Sequence, residues 1–204
     1  MKKHFLLLCA VLLIFGVVGN ASAALYSYDF SAMGFTDGQN LEGMTLDYAT
    51  FTSETNDLRY YTAYGGGIGT GYVWGGAADT YIDFSAAVDE VSFTAGNGAG
   101  DNDAFAVTLY EFGTGTEIGT WSTPVFGGAA EPEWYTLTIA ASNVGYALFD
   151  PGNSGVLPGV KEGLGGVVIL EMSYDTAAVP EPATILLLGT GLIGLAGLRR
   201  KFRK

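Results

Sequence analysis

The sequence predicts an all-β body, a β-sandwich or jelly roll, between an N-terminal signal helix and a C-terminal transmembrane helix. Short stretches rich in Tyr, Phe, Val, Thr and Ile alternate with turn-forming residues, which is typical of an all-β domain. The stretches VDEVSFTA (88–95) and DAFAVTLYEF (103–112) alternate apolar with polar residues. Each of these strands should therefore bury one face and expose the other.

The first 23 residues have the layout of a secretory signal peptide. Two lysines precede an apolar run, and the small residues Ala21-Ser22-Ala23 follow it. We expect export by the Sec machinery and cleavage by signal peptidase after Ala23, with Ala21 and Ala23 as recognition residues. Lipoprotein processing at Cys9 is disfavoured, because Leu8 stands where a small residue is required.

The body, residues 24–178, has a length that suits one domain. Its glycines cluster in turns such as Gly65-Gly66-Gly67 and GNGAGDND (96–103). The predicted strands are Leu25–Phe30, Thr45–Thr52, Leu58–Tyr64, Gly71–Trp74, Thr80–Phe84, Glu90–Thr94, Ala104–Glu111, Glu117–Trp121, Trp134–Ala140, Gly145–Phe149 and Val167–Tyr174.

The charge of the body excludes several classes of partner and site. It holds two basic residues, Arg59 and Lys161, against twenty acidic ones, a formal charge of −18. Such a surface repels nucleic acid, whose binding depends on Lys and Arg. The only cysteine, Cys9, and the only histidine, His4, leave with the signal peptide. The mature body therefore has no disulfide, thiol nucleophile, imidazole base or Cys/His zinc site.

An oxygen-rich loop is the candidate metal site. Asp101, Asn102 and Asp103 lie between two predicted strands, and calcium prefers carboxylate and carbonyl oxygens. The spacing is not that of an EF-hand, so a further carboxylate such as Asp37 or Asp175 would have to contribute. The alternative is a solvated turn in which these side chains cap their own backbone.

Aromatic side chains are the candidate glycan contacts, because sugar rings place their C–H faces on flat side chains. We select Tyr60, Tyr61, Tyr72 and Trp74, the last of which stands between glycine-rich turns in GYVWGG. Most aromatic residues on alternating strands serve packing instead. The wider set adds Arg59, Tyr64, Trp121 and Trp134.

Catalysis is the weaker interpretation. The pairs Asp101/Asp103 and Glu131/Glu133 could supply the two carboxylates of a glycoside hydrolase, but such carboxylates usually come from different strands across a cleft. A lyase using Arg59 and a tyrosine is the other enzymatic alternative. We assign no catalytic residues.

The C-terminal region predicts a membrane anchor with cytoplasmic positive charge. Ala183–Leu198 is sixteen residues without a charge, about 24 Å long as a helix at ~1.5 Å per residue, which is short for a hydrocarbon core of about 30 Å. The basic tail, residues 199–204, includes Arg199, Arg200 and Lys201 and would hold the end of the chain inside. The body then lies outside.

Val179-Pro180-Glu181-Pro182, the Leu/Gly-rich helix 183–198 and the basic tail together resemble the PEP-CTERM sorting signal of Gram-negative bacteria. The resemblance covers residues 179–204. It implies an intermediate anchored in the inner membrane, recognition by an exosortase, cutting near Pro180–Pro182 and delivery to the cell surface or extracellular matrix. Proteins with this signal tend to accompany exopolysaccharide and biofilm production.

The body also resembles carbohydrate-binding jelly-roll domains carried by proteins with this tail. The segments DGQNLEGMTLDYATF (37–51) and IDFSAAVDEVSFTAGNGAGDNDAFAVTLYEF (82–112) carry this resemblance. In the closing strand, Glu171 and Asp175 take the place of an expected aspartate. The sequence therefore predicts a structural or adhesive matrix protein that binds exopolysaccharide with calcium. The alternatives are an enzyme that degrades or modifies polysaccharide, and an inert surface coat protein.

Overall fold

The computed structural model describes residues 23–62, 65–70, 78–97, 102–127, 133–152 and 167–176. Ala24–Ala177 forms one compact unit. Among the described residues, no helix is long and apolar enough to span a membrane. Several predicted features lie outside the described residues: the signal peptide up to residue 22, the strand Gly71–Trp74, Tyr64, Tyr72, Trp74, Asp101, Glu131, the motif Val179–Pro182, the helix 183–198 and the basic residues 199–204.

The described part of the chain is almost entirely β, which confirms the predicted fold class. One 3₁₀ turn, Phe30–Ala32, follows the first strand. The strands are β1 (Leu25–Asp29), β2 (Met44–Leu46), β3 (Ala49–Ser53), β4 (Leu58–Tyr61), β5 (Gly67–Thr70), β6 (Thr80–Asn97), β7 (Asn102–Asp103), β8 (Ala106–Glu111), β9 (Glu117–Ser122), β10 (Phe126–Gly127), β11 (Glu133–Asp150) and β12 (Val168–Thr176).

The strands form two antiparallel layers that share β6 and β11. In the first layer, the first half of β11 pairs with the second half of β6, which in turn pairs with β12. Strand β12 also pairs with β1 and with β5, and β5 pairs with β4. The second layer contains β2, β3, the first half of β6, the second half of β11, β8 and β9. The short strands β7 and β10 pair only with each other among the described residues.

The two long strands pass from one layer to the other at bulges. The register of β11 with β6 shifts between Ala140 and Val144 and again between Val144 and Tyr146. Bulges bend a strand and increase its twist. Gly145 is required here, because a Cβ at this position would overlap the Cα of Phe112. The two strands predicted at 134–140 and 145–149 are therefore both parts of β11, and the predicted break between them falls at its bend.

Aromatic side chains fill the space between the layers. The rings of Phe93 and Phe149 lie 5.7 Å apart, and those of Phe84 and Tyr174 lie 5.1 Å apart. Phe30 and Phe51 make a third contact at 5.8 Å. The large fully buried side chains include Phe30, Phe51, Phe93, Phe105, Phe149 and Tyr174. Burial of this apolar area, which the alternation predicted, stabilises the sandwich.

Three local predictions were wrong. Thr80–Phe84 and Glu90–Thr94 are not two strands but parts of the single long strand β6 (Thr80–Asn97). Thr45–Thr52 is not one strand but the hairpin β2–β3, because Asp47 adopts a φ of 49° in the turn. Strand β5 was missed, because its sequence GIGT resembles a turn. Its glycines are needed for packing, since a Cβ on Gly67 would lie 2.7 Å from Val168 Cγ2.

Candidate functional site

The two predicted ligand contacts on β4 have different environments. Tyr60 is 4% exposed, and its ring packs against Phe35 at 5.6 Å. Its hydroxyl lies 2.7 Å from where a Cβ on Gly66 would stand. Tyr60 is therefore a core residue whose ring is covered. Tyr61, the next residue, is half-buried and is the one of the pair that reaches solvent.

Arg59 is held by neighbouring groups. Its Nε donates to Asp57 Oδ1 at 2.6 Å, and its Nη1 donates to the carbonyl oxygen of Gly38 at 3.2 Å. These contacts fasten the chain around Gly38 to β4. These contacts give Arg59 a structural role.

The predicted calcium loop is described only in part. Asn102 and Asp103 form β7, in register with Gly127 and Phe126, so the second half of the loop is a short strand. Asp101 lies outside the described residues, and so do the side chains of Asn102 and Asp103. Among the described residues, no group of three or more acidic, His or Cys side chains could hold a metal ion. The calcium site stays a prediction.

Three tyrosines form a row on the outer surface of the second layer. The ring centroids of Tyr81 and Tyr146 lie 6.0 Å apart with nearly parallel planes, and those of Tyr146 and Tyr110 lie 5.1 Å apart. The cross-strand register places Tyr146 opposite both Tyr110 and Asp83. We call the surface of Tyr81, Asp83, Tyr110 and Tyr146 the tyrosine face.

Strand alternation directs these rings outward. Ile82 follows Tyr81, Ala147 follows Tyr146, and Leu109 precedes Tyr110. Each of these three neighbours is fully buried. Because successive side chains of a strand point to opposite sides, the tyrosines project from the other side of the sheet, where all three are half-buried.

Threonine hydroxyls flank the tyrosine face on both sides. On one side, Thr50 and Thr52 of β3 stand opposite Asp83 and Tyr81. On the other side, the hydroxyl oxygens of Thr108 and Thr120 lie 2.8 Å apart. The face therefore combines flat aromatic surface with donors and acceptors at its borders.

Burial changes the acid–base properties of the tyrosine face. It raises the pKa of the Tyr146 hydroxyl, with Tyr81 and Asp83 adding to the effect. This tyrosine therefore stays protonated and available as a donor at neutral pH. Burial also raises the pKa of the Asp83 carboxyl.

Asp79, just before β6, extends the acidic character of this region. Burial, followed by the charges of Asp150 and Glu54, raises the pKa of Asp79 to about 6. Burial and then the negative charge of Asp79 raise the pKa of Tyr81, so the Asp79 carboxylate lies close to the tyrosine face. The tyrosine face is thus bordered by negative charge.

Trp134 forms a second exposed aromatic surface, on the first layer. It is 41% exposed, and its indole covers Gly96 on the adjacent strand. A Cβ on Gly65 would lie 3.2 Å from the same ring. The glycines thus leave room for the indole to lie against the sheet. Trp121, in contrast, packs against the core.

Sequence reasoning selected Trp134 in its wider set but missed the tyrosine face. The segment TYIDF (80–84) contains the useful signal, because Tyr81 and Asp83 share one side of a strand. Tyr110 and Tyr146 come from separate parts of the sequence. Only the strand register brings their rings together.

One member of each predicted catalytic pair lies outside the described residues. Glu133 lies at the start of β11, and its proposed partner Glu131 lies outside the described residues. The same holds for Asp101 beside Asp103. The tyrosine face has the composition of a binding surface, with rings and hydroxyls that can hold a ligand by contact and hydrogen bonding.

Comparison with known proteins identifies the C-terminal region. Residues 178–201 match the PEP-CTERM protein-sorting motif, which includes Val179–Pro182 and the basic residues Arg199, Arg200 and Lys201. No curated protein matches the chain at a significant level.

Several solved structures have some similarity to the body. An arabinose-bound α-L-arabinofuranosidase is 13% identical with a TM-score of 0.43, over 77% of this chain and 27% of that chain. The K2 cleaved adhesin domain of Lys-gingipain is 13% identical with a TM-score of 0.38, over 74% of this chain and 99% of that one. The C-terminal CBM6 of a marine laminarinase from Zobellia galactanivorans is 18% identical with a TM-score of 0.34, over 76% of this chain and 100% of that one.

The sorting motif marks the chain as one that is exported and anchored in the membrane before exosortase cleavage. The motif model covers residues 178–201, and the β-sandwich precedes it. The chain is therefore an exported all-β protein that carries a PEP-CTERM protein-sorting motif.

Proposed function

We propose that this chain is an exosortase-processed surface protein of the extracellular matrix whose sandwich binds polysaccharide at the tyrosine face. The row of three outward tyrosine rings is the observation that carries the binding proposal. The sorting motif carries the proposal for its location. Sec export and signal peptidase act first, the inner membrane holds the intermediate, and the exosortase then separates the body from its anchor.

The dimensions of the tyrosine face suit a glycan chain. Three rings on adjacent strands, with centroids 5.1 and 6.0 Å apart, form a continuous strip across β6, β11 and β8. Sugar rings can stack their C–H faces on such a strip. The hydroxyls of Thr52 and Thr108, which border it, can then bond to sugar hydroxyl groups.

The negative charge around the tyrosine face restricts the kinds of polysaccharide that it could bind. Asp79, Asp83 and Glu117 border the rings. Arg59 is the only Lys or Arg among the described residues, and it lies on β4 in the other layer. We therefore propose a neutral or amine-bearing polysaccharide as the ligand, because a polyuronate would meet like charge.

Calcium is a separate proposal that depends on Asp101, Asn102 and Asp103. A bound cation would supply positive charge and could bridge the protein to an anionic glycan. The chemistry of these side chains supports the proposal. Its consequence is that binding of a polyuronate requires calcium, whereas binding at the tyrosine face does not.

Isothermal titration tests the binding site. The exported, processed protein is titrated with exopolysaccharide from the producing cells, a neutral glucan, a glucosamine polymer and a polyuronate, each with and without a chelator. We expect saturable, chelator-insensitive binding of neutral or amine-bearing polymers. Tyr146→Ala should weaken this binding on the order of tenfold, or about 1.4 kcal/mol. The control Tyr48→Ala removes an exposed ring at another place and should leave affinity unchanged.

The outcomes separate the alternatives. Equal loss of affinity in the Tyr146 and Tyr48 variants would contradict the proposed site. Absence of saturable binding to every polymer would contradict glycan binding and favour an inert coat protein. Release of shorter sugars during the titration would favour the enzymatic alternative. If the protein bound polyuronate and the chelator abolished that binding, the result would support the calcium proposal but not binding at the tyrosine face.

A further inference from the structure

The outer edge of the first half of β11 has no partner strand in the described part of the chain. Trp134–Ala140 pairs with β6 on one side, whereas its pairing with β8 begins only at Val144. No described strand is in register with the other side of Trp134–Ala140. Every second residue of this segment therefore points its N–H and C=O groups away from the sheet. We call this segment the β11 edge.

Three other strand edges of the described residues are covered, short or charged. The chain before β2 covers β4, where Gly38 N donates to Tyr60 O at 2.9 Å and Leu41 N donates to Leu58 O at 2.7 Å. Strand β2 has three residues, and β9 begins with the charged Glu117. The β11 edge has the sequence WYTLTIA, with high β-propensity and no charge. Such an edge is a template for pairing with another strand.

The β11 edge is complementary to itself. An antiparallel pair centred on Leu137 of both copies places Thr136 opposite Thr138, Tyr135 opposite Ile139 and Trp134 opposite Ala140. Residues that face solvent meet residues that face solvent, and core-facing residues meet core-facing residues. The alignment is symmetric, as a two-fold interface requires.

The threonine pairs would continue a pattern already present in the first layer. The hydroxyl oxygens of Thr94 and Thr136 lie 3.0 Å apart, and those of Ser92 and Thr138 lie 2.9 Å apart. A hydroxyl has one donor and two acceptor positions, so each threonine can bond to a second neighbour. Pairing of two copies would extend this row of hydroxyls across the junction.

We propose that the β11 edge pairs antiparallel with the same edge of a second copy of this chain, joining two sandwiches through one continuous sheet. The partner is a second copy because the segment carries no charge, and because pairing it with itself places threonine opposite threonine and keeps each residue opposite one of the same face. The bodies are strongly acidic and repel each other, so added salt should strengthen the association by screening that repulsion.

Sedimentation velocity of the exported, processed protein tests this pairing. We expect a concentration-dependent dimer that strengthens with salt. The variant Thr136→Lys/Thr138→Lys places like charges directly opposite each other in the pair and should weaken dimerisation at least tenfold. The matched control Ser92→Lys/Thr94→Lys adds the same charge to the same face one strand inward, and should still dimerise.

Charge reversal distinguishes the interface from a folding defect. Thr136→Glu/Thr138→Glu should also be monomeric alone, but an equimolar mixture with the double-lysine variant should restore dimers by opposite charges. Circular dichroism establishes that both variants are folded. A monomeric wild-type protein at high salt, or dimers that persist in both edge variants, would overturn the proposal. Failure of the mixture to dimerise would also overturn it.

Discussion

The indole of Trp134 occupies space that only a glycine at position 96 leaves open. A Cβ on Gly96 would overlap Trp134 Cε3 and the backbone oxygen of Glu133. The two residues are direct cross-strand partners of β11 and β6. An aromatic ring packed across a glycine thus connects the edge strand of the first layer to its neighbour.

Gly96→Ala should therefore destabilise the body by about 1–3 kcal/mol, the usual effect of overpacking. Urea unfolding followed by tryptophan fluorescence or circular dichroism measures the change. Adding Trp134→Ala should recover part of the loss, because it removes the ring overlap but not the overlap with Glu133. Strictly additive effects of the two substitutions would show that the ring does not couple to position 96.

The contribution of Asp79 to the free energy of unfolding should be less favourable above pH 6 than below pH 4. Its folded-state pKa is raised to about 6 from an ordinary 3.8, first by burial and then by Asp150 and Glu54. The folded state therefore binds more protons between these values, and the free energy of unfolding falls as pH rises through this window. Asp79→Asn removes this effect and should stabilise the protein at pH 7.5 by about 1 kcal/mol after allowing for solvent screening.

The measurement for Asp79 is urea unfolding of wild type and variant at pH 4 and pH 7.5. The gain from Asp79→Asn should be present at the higher pH and nearly absent at the lower one. Glu117→Gln removes an exposed carboxylate and serves as the control for net charge. A gain of equal size at both pH values would contradict the assignment.

The alternation of apolar and polar residues was enough to predict the all-β body and most of its strands. It could not predict β5, whose glycines are explained by contact with Val168 from a distant strand. The sequence could not predict the tyrosine face for a related reason. Tyr146 meets Tyr110 and Asp83 through strand registers that include a bulge, and no local pattern specifies where a bulge shifts the pairing.

Tyr174 should stabilise the β2–β3 hairpin through its hydroxyl. Its side chain is 1% exposed, and its oxygen accepts the Tyr48 N–H at 3.2 Å and donates to Leu46 O at 3.3 Å. Tyr174→Phe leaves the Tyr48 N–H without this acceptor and should cost about 1–2 kcal/mol in unfolding free energy. The control Tyr135→Phe, on a half-buried ring of the first layer, should change stability by less than about 0.5 kcal/mol. Equal stability of Tyr174→Phe and wild type would refute the role of the hydroxyl.

Replacing Pro180, Glu181 and Pro182 with alanine should block processing of the exported chain. These residues lie within the matched sorting motif, and the two prolines favour an extended, non-helical segment that a membrane enzyme can bind. Immunoblots of membrane and extracellular fractions should show a longer, membrane-bound form in the variant and a shorter form outside wild-type cells. Ala177→Gly and Ala178→Gly just upstream serve as a control that leaves the three residues intact. If the triple-alanine variant reached the extracellular fraction at wild-type length and amount, processing would not depend on this motif, and the proposed location would need another explanation.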